Sequence, residues 1–178
     1  MADRVVVDAS VALAYLTPEV GSLAAKEAIS GWLTSETQML VPSLFWLEVT
    51  NRLGRRYGIG PEEIVATFVD LDGLELTTVE LDRPLLLLAI DQMVRSGLSA
   101  YDAIYLALAL STDSKLATLD RRLAEAAGDG GLLIGSFGVS DGTAAYRTDR
   151  PDYTGWANTA VVGAHIAELR RRALAAEG

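Results

Sequence analysis

Four carboxylates stand where an α/β protein gathers its chemistry: Asp8, Glu48, Asp102 and Asp120. Asp8 closes the apolar run Val5-Val6-Val7, and Asp120 follows Leu116-Ala117-Thr118-Leu119. Glu48 and Asp102 sit early in segments of helical pattern. In an open α/β sheet, strand ends and helix starts converge on one edge, where ligands bind. Acids brought together there repel one another, and a divalent cation is the usual remedy. Ser10, two residues after Asp8, and Thr118, two before Asp120, are placed to orient a carboxylate or a water on the cation. Asn51, three residues past Glu48 on the same helical face, is a further candidate to contact the site or its substrate. The chemistry that suits such a set is metal-assisted hydrolysis.

Each acid also has a structural reading. Asp8 and Asp120 could cap the helices that follow them. Ser99-x-x-Asp102 has the form of a capping box with Asp in place of Glu, and Glu48 could be a solvated helix residue. The scarcity of other reactive side chains tips the balance towards a site. With no Cys and a single His, thiolate zinc sites, His-rich metal sites and cysteine nucleophiles are excluded. A serine triad would need His165, which has no strand-turn-helix elbow around it. Oxygen ligands remain, and they favour hard cations, magnesium or manganese.

The net charge of −9 argues against a coat for nucleic acid but leaves room for local patches. The cations are nearly all arginine, clustered as Arg52/Arg55/Arg56, Arg121/Arg122 and Arg170-Arg171-Arg172. Arginine suits bidentate phosphate contacts; solvated helix faces are the plain alternative for each cluster. The N-terminus carries no signal-peptide pattern, and apolar runs such as residues 85–90 are far too short to span a bilayer. A soluble cytoplasmic protein is expected.

The elements that must position these residues alternate. Residues 4–7 read as a buried strand, 9–16 and 21–33 as helices, 39–41 as a second strand ahead of Pro42, and 44–57 as a helix stopped by Gly58. Pro61 opens the next helix, with Glu62 and Glu63 favouring its N-terminus. Alternation of Leu74, Leu76 and Thr78 predicts a third strand. A helix over 83–95, another opened by Ser99, a strand at 115–118, a helix at 120–127 and a strand at 132–134 at the sheet edge complete the pattern. Strands alternating with helices mean crossovers and a mainly parallel sheet covered on both faces. After Gly135 the composition turns to Gly, Ser, Thr and Asp, and then a helix is predicted over 156–175, with Val162, Ile166, Leu169 and Ala173 on one face. This divides the chain into a domain at 1–134 and an extension at 135–178, whose apolar stripe must bury against the domain or a second subunit.

The segments Asp8-Ala9-Ser10, PSLFWLEVTN (42–51), SAYDAIYLALA (99–109) and LATLDRRL (116–123) resemble the PIN-domain ribonucleases, the VapC-type toxins of prokaryotic toxin–antitoxin pairs above all. The similarity covers residues 5–134, and all four acidic positions of the family pattern are present. The resemblance implies a three-layer α/β/α fold, usually dimeric. It also implies Mg2+- or Mn2+-dependent endonucleolytic cleavage of RNA (tRNA, rRNA or mRNA), and a small antitoxin whose C-terminal segment fills the acidic groove. Asp8, Asp102 and Asp120 would then hold one or two cations, Glu48 would ligate or position a second, and Arg52, Arg55 and Arg56 would guide phosphates. Such toxins generally stop near residue 134, so the loop and last helix are additions.

A PIN-like module that docks RNA or a protein without cutting it is the alternative. A phosphotransfer receiver wants adjacent acids after its first strand and a late-strand lysine, which Lys115 does not supply. A haloacid-dehalogenase-like phosphatase wants Asp-x-Asp, where this chain has Ser10.

Overall fold

The computed structural model describes residues 3–18 and 21–135. Arg4–Val7 forms β1, Ala9–Leu16 α1, Ser22–Thr34 α2, Gln38–Pro42 β2, Leu44–Arg56 α3 and Pro61–Asp72 α4. Thr77–Val79 forms β3, Arg83–Ser96 α5, Ala100–Ser111 α6, Lys115–Thr118 β4, Arg121–Ala126 α7 and Gly131–Leu133 β5, with a 3-10 turn at Gly128–Gly130 between the last two. The predicted extension beyond Gly135, with His165, Trp156 and Arg170–Arg172, lies outside the described residues.

The five strands run in the order β3-β2-β1-β4-β5, every neighbouring pair parallel. This order, which the sequence pattern left open, fixes the layers. From β1 the chain steps outward to β2 and β3, then returns across the sheet to β4 and β5 on the other side. Right-handed crossovers therefore place α1 to α4 on one face and α5 to α7 on the other. The helices pair accordingly, α1 with α2 and α3, α3 with α4, and α6 with α5 and α7. The reversal between β1 and β4 is a topological switch point, where diverging connections leave a crevice at the carboxyl ends of the strands.

Burial follows from this three-layer α/β/α plan. Val5, Val6 and Val7 are all buried, as a strand covered on both faces requires. Helix α6 is buried from Ala103 through Ala109 because it packs on β1, β2 and β4 with α5 and α7 at its sides. Gly97 takes the left-handed conformation that ends α5 (φ 65°). At Gly131 a Cβ would stand 2.1 Å from the Ala124 carbonyl oxygen, so β5 reaches α7 only with glycine there.

The third strand departs from expectation. The Leu74-Leu76-Thr78 alternation starts too early, because Leu74 and Glu75 still donate to Leu71 and Asp72 in the turn leaving α4. Glu75 has φ 54°, which breaks the pleat, and pairing with β2 begins only at Thr77.

Candidate active site

The β1–α1 junction does not use its aspartate as a cap. Asp8 is extended (φ −71°, ψ 148°), and its side chain accepts no backbone amide of the first turn of α1. Its Oδ2 instead accepts hydrogen bonds from Ser10 Oγ and, at 2.7 Å, from Thr118 Oγ1. Both hydroxyls are themselves held. Ser10 Oγ accepts from the Leu119 amide at 3.0 Å, and Thr118 Oγ1 accepts from the Asp120 amide at 3.0 Å. The Asp8 amide donates to the Ala117 carbonyl at 3.0 Å, continuing the β1–β4 pairing past Val7. One carboxylate oxygen is thus fixed by a closed relay linking the ends of two adjacent strands.

The β4–α7 junction behaves differently. Asp120 Oδ1 accepts from the Arg122 amide at 2.7 Å and the Leu123 amide at 3.2 Å, so the capping role applies here. The carboxylate is half-buried, next along the chain from the relay.

Glu48 and Asp102 approach from opposite helical layers. Glu48, half-buried on α3, accepts at Oε2 from the Tyr105 hydroxyl of α6 at 2.5 Å. Asp102, in the first turn of α6, accepts at Oδ2 from Ser99 Oγ at 2.7 Å, while its amide donates to the same hydroxyl at 3.2 Å. The pair forms the expected cap at Ser99, closed by the side-chain hydroxyl.

Electrostatics tie three of the acids together. Burial, above all, raises the Asp8 carboxyl above the usual range, and Asp102 adds to the rise, while Ser10, Thr118 and Arg52 oppose it. Glu48 is pushed up to about 7, first by burial and then by the charges of Asp8 and Asp102, against the Tyr105 hydrogen bond and Arg52. Asp8, Glu48 and Asp102 therefore lie within electrostatic reach of one another, and Arg52 lies within reach of the first two. No three acidic side chains among the described residues close on a point as a ready-made ligand shell. The donor set is nonetheless hard oxygen throughout, in excess negative charge and partly desolvated, which suits a divalent cation drawing the carboxylates together.

The remaining candidates lie further along α3. Arg52, Arg55 and Asn51 are exposed on α3, and Asn51 takes no part in the relay. Arg56 stacks over the Tyr57 ring at 5.7 Å. Tyr105 was not among the predicted site residues. It lies three residues after Asp102, so the helical repeat alone places both on one face of α6; nothing local marks its bond to a residue in a distant segment.

Residues 5–129 match the family model described as PIN domain. Compared by sequence with curated proteins, the chain matches none. Among solved structures it is similar to PAE2754 from Pyrobaculum aerophilum (26% identity, TM-score 0.54), the similarity covering 74% of this chain and 90% of that one. It is similar to a toxin-antitoxin complex from Klebsiella pneumoniae (17% identity, TM-score 0.53, 65% and 86% covered). It is also similar to Mycobacterium tuberculosis VapC20, described as a sarcin-ricin loop cleaving toxin (18% identity, TM-score 0.59, 74% and 98% covered). The family match takes in β1 through α7 and all four acids, and on it the chain belongs to the PIN domain family.

Proposed function

We propose that the chain is a metal-dependent endoribonuclease, the toxin of a VapBC-type pair, acting in the cytoplasm and held in check by a cognate antitoxin. The observation that carries this reading is the placing of Asp8, Glu48 and Asp102 in mutual electrostatic reach at the β1/β4 switch point. The family match supports a nuclease, and the likeness to a toxin-antitoxin complex and to a sarcin-ricin loop cleaving toxin supports a toxin with an antitoxin partner. The nuclease unit is residues 1–134, and 135–178 form an extension. A homodimer is the expected assembly.

Asp8, Asp102 and Asp120 would hold Mg2+ or Mn2+, with Glu48 ligating or positioning a second ion. A divalent cation there would supply Lewis acidity, easing deprotonation of water and neutralising charge on the scissile phosphodiester. Ser10 and Thr118 hold Asp8 Oδ2, which leaves Oδ1 as the oxygen offered to the crevice. Asp120 commits Oδ1 to the α7 amides and offers Oδ2. Arg52 draws the RNA backbone towards the carboxylates, with Arg55 and Arg56 beside it on α3 and Asn51 in reach of substrate. Water attacks phosphorus, the 3′-oxygen departs, and the products carry a 5′-phosphate and a 3′-hydroxyl.

The test is incubation of total and transfer RNA with purified protein in Mg2+, Mn2+ or EDTA, beside Asp102→Asn. Cutting that needs metal and vanishes in the variant is the expected outcome. Undiminished cutting by Asp102→Asn would refute the site, and RNA binding without cutting would favour a docking module.

A further inference from the structure

We infer that Tyr105 is a positioning residue of the site: its hydroxyl, buried between the two helical layers, fixes the Glu48 carboxylate relative to the Asp8 junction. The inference rests on the proposed metal site and assigns the phenol a part in assembling it.

Tyr105 is only 1% exposed, among the largest fully buried side chains of the described residues. A buried phenol needs a partner for its hydroxyl, and this one has partners on two other elements. It donates to Glu48 Oε2 on α3 at 2.5 Å, and the backbone of Ala9, the residue after Asp8, is its second polar neighbour. One hydroxyl from α6 therefore joins the start of α1 to the carboxylate of α3. Asp102 lies one turn earlier on α6, so the helix that supplies one acid also sets the spacing of two others.

The direction of the bond matters. A carboxylate only accepts, so the phenol is the donor of the pair. A donor on Oε2 removes one of the two oxygens from competition and presents Oε1 to the crevice. Glu48 is a flexible side chain on a half-exposed helix turn; without the phenol its carboxylate would be free to swing into solvent, away from the repulsion of Asp8 and Asp102. Partners that orient metal-ligating carboxylates in this way typically carry 10–100-fold in metal affinity.

The experiment is Mn2+ calorimetry and RNA cleavage on wild type, Tyr105→Phe, Glu48→Gln and the double variant, with circular dichroism and thermal melting as fold controls. Phenylalanine keeps the packing and removes only the hydroxyl. Expected is roughly a tenfold loss of Mn2+ affinity with a comparable loss of cleavage in Tyr105→Phe, and no further loss when the change is made on the Glu48→Gln background. Wild-type Mn2+ affinity in Tyr105→Phe, or an equal loss on both backgrounds, would overturn the inference. Independently of any variant, the Tyr105 Cζ resonance of tyrosine-labelled wild-type protein should move when Mg2+ is added. A resonance indifferent to Mg2+ would also overturn it. If Asp8→Asn binds Mn2+ as well as wild type, it is the metal-site reading that fails rather than the part given to Tyr105.

Discussion

The β1–α1 and β4–α7 junctions start from the same local instruction and end differently. Both are a short buried strand, an aspartate in extended conformation and a helix, and the strands are neighbours, with Val7 paired to Ala117. Asp120 caps its helix with two amides. Asp8 leaves the amides of its helix alone and turns to two hydroxyls, one of them 110 positions away in sequence. Propensity treats the two alike; tertiary surroundings separate them. Asp8 is buried at 9% exposure beside hydroxyl groups already oriented by backbone amides, whereas Asp120 is half-exposed with free amides nearest to hand. A capping aspartate stabilises the fold. A buried carboxylate that declines to cap, and stands near two other acids, stores electrostatic cost that a cation can relieve.

The two junctions should differ most when Asp8 loses its charge. Asp8→Asn should abolish cleavage, by about 10³-fold or more if a preorganised charge is lost. The metal-free protein should melt no lower than wild type, since a desolvated charge is removed. Cleavage rates and melting curves on one preparation check both halves.

Removing the hydroxyl shared by the two junctions comes next. Thr118 is fully buried, donates to Asp8 and accepts from the Asp120 amide, so Thr118→Val orphans a donor and an acceptor at once. A loss of about 1–3 kcal/mol in urea unfolding is expected.

Acid titration sharpens the contrast in sign. Glu48 and Asp8 have folded-state pKa values raised above their unfolded ones, so the native state holds more protons and stability falls as pH rises. For Glu48 the window runs from its ordinary value of 4.5 to about 7. Metal-free protein should therefore melt several degrees higher at pH 5 than at pH 7.5, and saturating Mg2+ should lift the pH 7.5 value. A melting temperature that climbs with pH in EDTA would contradict the crowding of these acids.

At Asp120 the expected stability change is smaller: Asp120→Ala costs about 1 kcal/mol through the lost cap, while Asp120→Asn, an equally good cap, costs little. Both should lower cleavage if the other oxygen serves the site, which separates capping from chemistry. The smallest effect is at Arg52. Arg52→Gln should reduce the slope of log RNA affinity against log salt by about one; an unchanged slope would make Arg52 a solvated residue.

Most of the architecture was legible in the sequence because it is written locally. The Val5-Val6-Val7 run, Pro61 ahead of two glutamates and Ser99 before Asp102 each specify their element from within a few residues. The start of β3 was not legible, because apolar alternation continues through a turn that only the backbone at Glu75 reveals. Strand order was not legible either, since the same alternation of elements serves several orders. Of the candidate site, the four acids could be picked out by type and place. Which aspartate caps and which does not depends on Thr118 and Ser10 meeting across β1 and β4, and the link from Tyr105 to Glu48 spans 57 positions. Contacts of that range leave no periodic trace.

The proposed cation site joins Asp8, Asp102 and Asp120, with Glu48 beside them. It is tested most directly by Mn2+ titration calorimetry of wild type against Asp8→Asn at pH 7.5. Saturable binding by the wild type and at least a tenfold weakening in the variant are expected, with the fold intact by circular dichroism. Equal binding by the two proteins, or none by the wild type, would contradict it.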